Sequence, residues 1–389
     1  MKKILLIAPK LPYPPISGYS LKNYWLLQIL SKHYIVHLVS ITDEYVPSDF
    51  YSWAEKIGIT YKLFPKKRID FYLKSAKSIF NKLPIQVNYY SFSDVEEYVD
   101  SVYEEYDLIY VILARAAQYA LGKPKPKIVD IADSVSVIYS NAKEKTSSKF
   151  WKTIYLVEGK RMLYYENLCI SDFDKALFFN MEERNSFNQP TKTEWIPHGV
   201  NESLFTYEKQ NEKYKNWVTF LGKMDYQPNI DAVLWFVANV LPHLDRNLTF
   251  GIVGAYPTKK IKSLEKKYKN VVVTGFVEDP YEIVKSSLCV VAPMQTGGGI
   301  QNKVLESMAL GTINIVSSLA AKPIAARNTE EFLVIDDPVD IALTINDIYK
   351  NPEKYVHIKE KSREYIKANF TWSIYERKII DVIKSVVGD

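Results

Sequence analysis

Two doubly wound α/β domains in tandem are what this 389-residue sequence predicts, and three observations predict them. Short apolar runs of strand length alternate with helical patterns through both halves of the chain. The runs are apolar almost throughout, as strands covered on both faces of a parallel sheet require. Glycine turns close several of them, at the strand ends where open α/β sheets bind their ligands.

In the first half, KILLIAP (3–9), YIVHLVSI (34–41), ITYKLF (59–64), DLIYVIL (107–113), KIVDIA (127–132) and KALFFN (175–180) read as strands. YSLKNYWLLQILSKH (19–33) reads as the amphipathic helix after the first of them. The second half repeats the rhythm in WVTFLG (217–222), LTFGIVG (248–254), NVVVTG (270–275), LCVVAP (288–293) and TINIVSS (312–318). The two series meet near WIPHGVNESLF (195–205), so domains are expected over 1–195 and 196–370.

Composition excludes several classes. With 47% hydrophobic and 24% charged residues the chain is globular, and a net charge of +5 argues against a nucleic-acid binder. Cys169 and Cys289 lie far apart in apolar runs, which points to a reduced cytoplasmic protein without disulfides or a zinc site. The N-terminal apolar run is too short for a signal sequence, and nothing approaches the eighteen apolar residues of a membrane span. No G-x-G-x-x-G or Walker A lysine motif occurs, which weakens an oxidoreductase and removes the P-loop kinases. His33 and His37 flank a strand start and read as packing or surface residues.

The most informative stretch is APMQTGGGIQNKVLESMALG (292–311). An apolar strand runs into Gly297, Gly298 and Gly299, and a helix follows from about Asn302 to Leu310, stopped by Gly311. Three consecutive glycines are entropically expensive, so a close backbone approach should require them. Strand, glycine turn and helix N-terminus together form an anion site.

LGKMDYQPNIDAVLWF, IVGAYP, VTGFVEDP and GGGIQNKVLESMALG resemble the donor domain of GT-B glycosyltransferases of family 4, especially bacterial sugar transferases of exopolysaccharide clusters. WIPHGVNESLF resembles that family's interdomain segment, and FTWSIYERKIIDVI (370–383) its closing helix. The resemblance implies a GT-B fold: two Rossmann-like domains facing across a cleft, with 371–389 packing back on the first. It also implies retaining transfer of a sugar from a UDP-, GDP- or dTDP-linked donor, without a metal or other cofactor, to a glycan or lipid-linked acceptor. Glu306 matches the second glutamate of the family's E-x7-E motif, which binds ribose hydroxyls. Lys223, after Gly222, matches its phosphate-binding cation. Val277 and Glu278 stand where the base is contacted, Gly18 where the first domain's backbone meets the phosphates. The loop Gly297–Asn302, with Ile300 and Gln301, completes the expected donor site.

Three departures matter. Eight residues before Glu306 stands Gly298, so the first glutamate of the motif is missing. The family's second phosphate lysine is Asn229 here, and Lys303 is expected to take over its charge. The N-domain histidine is absent from IVDIADS (128–134), which leaves Asp130, Asp133 or Ser134 to line the cleft, with Asp133 the acceptor-side catalytic candidate. A GT-B-fold sugar-nucleotide epimerase and a non-catalytic sugar-nucleotide-binding subunit are the alternatives. The helical segment KKRIDFYLKSAKSIFNKL (66–83) sets six cations against Asp70, which suggests peripheral contact with the inner face of the plasma membrane.

Overall fold

Parallel pairing joins every named strand to its neighbours, in two separate sheets. The structure is a computed structural model and describes residues 1–42, 45–146, 148–297 and 299–388. It divides into unit 1, Met1–Pro197 with Tyr375–Asp389, and unit 2, His198–Ile374.

Unit 1 contains β1 (Lys3–Ala8), β2 (Ile35–Thr42), β3 (Thr60–Pro65), β4 (Leu108–Ile112), β5 (Lys127–Ala132), β6 (Lys175–Phe178) and β7 (Thr193–Trp195), in the order β3-β2-β1-β4-β5-β6-β7. Helix α1 (Gly18–His33) begins where it does because Ser17 and Ser20 form a reciprocal capping box. Further along are α2 (Arg68–Ser75), α3 (Val135–Lys145), α4 (Lys149–Asp172) and α5 (Met181–Ser186).

Unit 2 contains β8 (Trp217–Leu221), β9 (Thr249–Val253), β10 (Val271–Gly275), β11 (Cys289–Ala292), β12 (Asn314–Val316) and β13 (Leu333–Val334), in the order β10-β9-β8-β11-β12-β13. Its site is framed by α6 (Gln227–Asn239), α7 (Pro280–Ser286) and α8 (Asn302–Ala309). The final helix, α9 (Trp372–Val387), continues from unit 2 into unit 1.

Central strands β4, β8 and β11 are buried at every position, which is why they read as continuous apolar runs. The edge strand β3 exposes alternate residues instead. Strands β7 and β13 fell outside the sequence expectation because three and two residues carry no readable period. Segment 66–83 differs from expectation too. Rather than one helix it is α2, then a 3₁₀ turn at Ala76–Ile79, then a turn whose Leu83 amide bonds the Asn81 side chain.

Candidate functional site

In unit 2 the strand order reverses between β8 and β11, so the loops leaving their carboxyl ends diverge and open a crevice. The loop after β8 is pressed against the loop after β9. Gly222 donates its amide to the Val253 carbonyl at 2.9 Å, and Met224 to that of Ala255 at 2.9 Å. A Cβ on Gly254, whose φ is +148°, would lie 1.9 Å from the Gly222 carbonyl oxygen. A Cβ on Gly222 would meet the Asn229 side-chain nitrogen at 2.6 Å. Both glycines are therefore required by close packing at the strand ends.

Asn229, in the first turn of α6, ties the two sides of the crevice together. Its Nδ2 donates to the Lys223 carbonyl at 2.9 Å, while its Oδ1 accepts from Lys303 Nζ of α8 at 2.5 Å. Lys303, expected to take over the charge absent at position 229, thus reaches the side chain that stands there. Lys303 is only 9% exposed, lies 4.7 Å from the Phe220 ring centre and 3.7 Å from the Met294 sulfur, and forms no ion pair among the described residues. Burial pulls its pKa down to about 7, with Glu306 partly opposing the shift. Beyond Glu306 one turn along α8, the neighbours of this buried lysine are an amide, a ring and a thioether, and an anionic ligand would add a second opposite charge.

Glu306 stands one turn further along α8, half-buried, where it accepts a hydrogen bond from Tyr281 of α7. Burial pushes its carboxyl up to about 7, against Tyr281 and Lys303. Lys223 is exposed, 3.9 Å from Asp225 and 5.2 Å from the centre of the Tyr256 ring. Val277 is half-buried and Glu278 exposed in the loop after β10. Gly297 and Gly299 both take positive φ, +107° and +69°, and a Cβ on Gly297 would touch Pro228 at 3.5 Å. The glycine loop therefore lies beside the start of α6. Gly298 lies outside the described residues. Ile300 and Gln301 lead into α8 at Asn302, whose first-turn amides face the loop side. The structure thus brings Asn229, Lys303 and Glu306 together at the crevice and joins Lys223 to them through its backbone carbonyl, while the Lys223 ammonium stays exposed beside Asp225.

Residues 215–351 match the family described as glycosyl transferases group 1. An uncharacterized 44.6 kDa protein in the cps region of Klebsiella pneumoniae is 23% identical over 95% of this chain and 97% of its own length. Among solved structures, Anabaena Alr3699/HepE in complex with UDP aligns with a TM-score of 0.68 at 14% identity, covering 99% of this chain and 100% of its own. The sucrose-phosphate synthase of Thermosynechococcus elongatus aligns at 0.69 and 15%, covering 99% of each chain. The chain has the fold of these glycosyltransferase structures, and its residues 215–351 match the group 1 glycosyl transferases.

In unit 1, Asp133 follows the end of β5, just after Ala132 in left-handed backbone at φ +63°. It is half-buried, its Oδ1 has no hydrogen-bond partner, and burial pushes its pKa up to about 6 while Lys22 opposes. The other two residues expected to line the cleft do not stand free. Asp130 is buried in an ion pair with Lys22 of α1 and accepts from the Tyr110 hydroxyl at 2.9 Å. Ser134 is 0% exposed and serves as the N-cap of α3. That helix start is already closed by this chain's own carboxylates. Glu166 of α4 accepts from the Val135 amide at 2.8 Å and the Ser134 hydroxyl at 2.9 Å, and Glu183 of α5 accepts from the Ser134 amide at 2.6 Å. Burial raises both glutamates, Glu183 to about 8.

Gly18 occupies the first turn of α1 with ordinary negative φ, and a Cβ there would meet nothing within 4 Å. Its role does not rest on steric need. Beyond the carboxyl ends of β1, β2 and β3 lies a pocket of about 520 Å³, lined among others by Lys10, Tyr45, Lys66, Arg68, Tyr89 and Tyr90. This pocket was not legible in the sequence, because its lining comes from four separate segments. Tyr281 was missed as well, although it stands only three residues beyond the expected base-contact residue Glu278. Among the described residues, no cluster of three or more His, Cys, Asp or Glu side chains is arranged to hold a metal.

Proposed function

We propose that this chain is a retaining glycosyltransferase in bacterial surface polysaccharide synthesis. Unit 2 holds a nucleotide-sugar donor and unit 1 a glycan or lipid-linked acceptor. The observation that carries the reading is the Lys223–Asn229–Lys303 bridge at the unit 2 crevice, one helical turn from Glu306. A donor's diphosphate would sit by Lys303 and Lys223 beneath the glycine loop, and its ribose hydroxyls would donate to Glu306. Support for a nucleotide comes from Alr3699/HepE, a fold neighbour described in complex with UDP. Support for polysaccharide synthesis comes from the cps-region relative.

Departure of a nucleoside diphosphate leaves negative charge on the β-phosphate. Lys303, Lys223 and the first-turn amides of α8 would stabilise that charge, and the buried setting of Lys303 strengthens its contact most. Asp133, poised by burial near neutral pH, would orient the acceptor hydroxyl by accepting its hydrogen bond. For retention, the leaving phosphate takes the acceptor proton on the face from which it departs. Cationic side chains and helix amides occupy the role a metal plays elsewhere, so EDTA should leave turnover substantially intact. Loss of activity on chelation, with recovery on added magnesium or manganese, would contradict this.

Glu306→Ala tests the site itself. Removing the ribose acceptor should weaken nucleotide-donor binding at least tenfold by calorimetric titration, in line with about 1.5–3 kcal/mol for bonds to a charged group. The melting temperature should stay near that of the parent. Equal affinity in parent and variant would reject the donor assignment. Comparing donor consumption with and without an acceptor preparation separates transfer from epimerisation or binding alone.

A further inference from the structure

The exposed apolar side chains of unit 1 gather on two elements that pack against each other. The first is the segment from α2 to residue 85, which exposes Ile69, Tyr72, Leu73, Ile79 (78%) and Phe80 (90%). The second is α4, where Phe150 (68%), Val157, Tyr164 (74%) and Leu168 stand exposed. Their spacing of seven, seven and four residues keeps these four on one helix face. Arg161 and Glu158 of α4 join the two elements. Arg161 donates to the Ser78 carbonyl at 3.1 Å, and Glu158 accepts from the Ile85 amide at 2.7 Å. Val157 and Tyr164 lie four residues before and three after Arg161, so the exposed stripe borders the segment that ends in Ile79 and Phe80.

Charge follows the same two elements. Residues 66–85 and 149–172 hold ten lysines and arginines against Asp70, Glu158, Glu166 and Asp172, a net of +6, whereas the whole chain totals +5. The remainder of the protein is therefore net negative. Lys77, Lys82, Lys149, Lys152 and Lys160 are exposed and form no ion pair among the described residues. Contiguous apolar surface of this kind marks an interaction site. A second copy fits it poorly, because a two-fold interface would set this positive face against itself. Aromatic and aliphatic tips among unpaired cations match an anionic bilayer surface, where the tips enter the headgroup region and the lysines meet lipid phosphates.

We propose that α4 and the 68–85 segment form one membrane-docking platform, with α4 supplying half of the contact. The inference rests on the lipid-facing reading of segment 66–83 and extends it to a second element that sequence reading did not single out. The platform adjoins the unit 1 pocket through Lys66 and Arg68, which line it. Docking there would hold a lipid-linked acceptor's sugar near that pocket.

The test uses the full-length protein with phosphatidylcholine vesicles, with and without phosphatidylglycerol, in a sedimentation assay. Wild type should bind only the anionic vesicles, and salt should weaken that binding. Combined Lys149→Glu, Lys152→Glu and Lys160→Glu should lower the partition coefficient at least about tenfold, since each cation near an anionic surface contributes modestly. Phe80→Ser with Phe150→Ser and Tyr164→Ser should remove the salt-resistant part of binding. The melting transition and circular dichroism of each variant should match wild type, which shows that unit 1 is still folded, and nucleotide titration should match as well because the donor site lies in unit 2. If reversal of charges within 66–83 abolishes binding while the α4 variants bind as wild type, the platform is overturned and the narrower membrane contact survives. If wild type ignores anionic vesicles, both membrane readings fall, and donor binding still decides glycosyl transfer separately. A stable dimer in sedimentation velocity, lost in the α4 variants, would assign the face to a second copy and overturn the proposal.

Discussion

Replacing Lys303 with alanine should lower turnover by about 10²–10³-fold while leaving affinity for the free nucleoside little changed. The expectation follows from where the ammonium sits. It is nearly buried, bonded to Asn229 Oδ1, and forms no ion pair among the described residues. With only Glu306 near it, its charge is available to a phosphate, and in the proposed pose the nucleoside end is held by Glu306 instead. Lys303→Met separates charge from packing, since the long apolar stem remains. The pH dependence has a definite sign. Burial depresses this lysine to about 7, so above that pH the free protein carries it neutral and diphosphate binding must draw in a proton. Affinity for a nucleoside diphosphate should fall as pH rises from 7 to 9, and the slope should flatten in Lys303→Met. Calorimetry in buffers of differing ionisation enthalpy would count the proton taken up. Turnover equal to wild type in both variants would show an idle lysine.

Gly254→Ala should be the most destabilising single methyl that the site can receive. The added carbon would stand 1.9 Å from the Gly222 carbonyl oxygen and 2.7 Å from its carbon, on backbone at φ +148°. Neither neighbour is a flexible side chain, so the strands or their loops must part. Overpacking combined with forbidden backbone should cost about 3 kcal/mol or more. For a unit of this size that is a melting shift of roughly 6–12 °C. Gly18→Ala is the contrast, because open space and ordinary φ there predict unchanged stability. Loss of activity in stable Gly18→Ala would mark a ligand contact, whereas an unshifted melt for Gly254→Ala would refute the packing described at β8 and β9.

The strands that could be read from sequence are the long, doubly covered ones. Strand β5 was expected at 127–132 and spans Lys127–Ala132, because every position is buried and apolar pattern alone marks it. Helix α8 was legible for local reasons: a glycine run before it and Gly311 at φ +70° after it. At the site, Glu306 and Lys303 stand out by spacing. What spacing could not show was direction. Lys303 was expected to face the same ligand as Glu306, and spacing gave no sign that its ammonium also bonds Asn229, a residue 74 positions earlier in the chain. The acceptor side was least legible. Asp130, Asp133 and Ser134 look alike at a strand end, and only long-range partners distinguish them. Lys22 pairs with Asp130 and Glu166 and Glu183 close around Ser134, whereas Asp133 is half-buried and forms no ion pair among the described residues, although one oxygen of each aspartate has no hydrogen-bond partner.

A crystal structure of this chain with a bound nucleotide-sugar tests the central claim most directly. The account predicts the diphosphate in the unit 2 crevice, with Lys303 Nζ within hydrogen-bond reach of a phosphate oxygen and both ribose hydroxyls donating to Glu306. A donor bound elsewhere, or one in the crevice with Lys303 still turned to Asn229 and Glu306 bonded only to Tyr281, would contradict it.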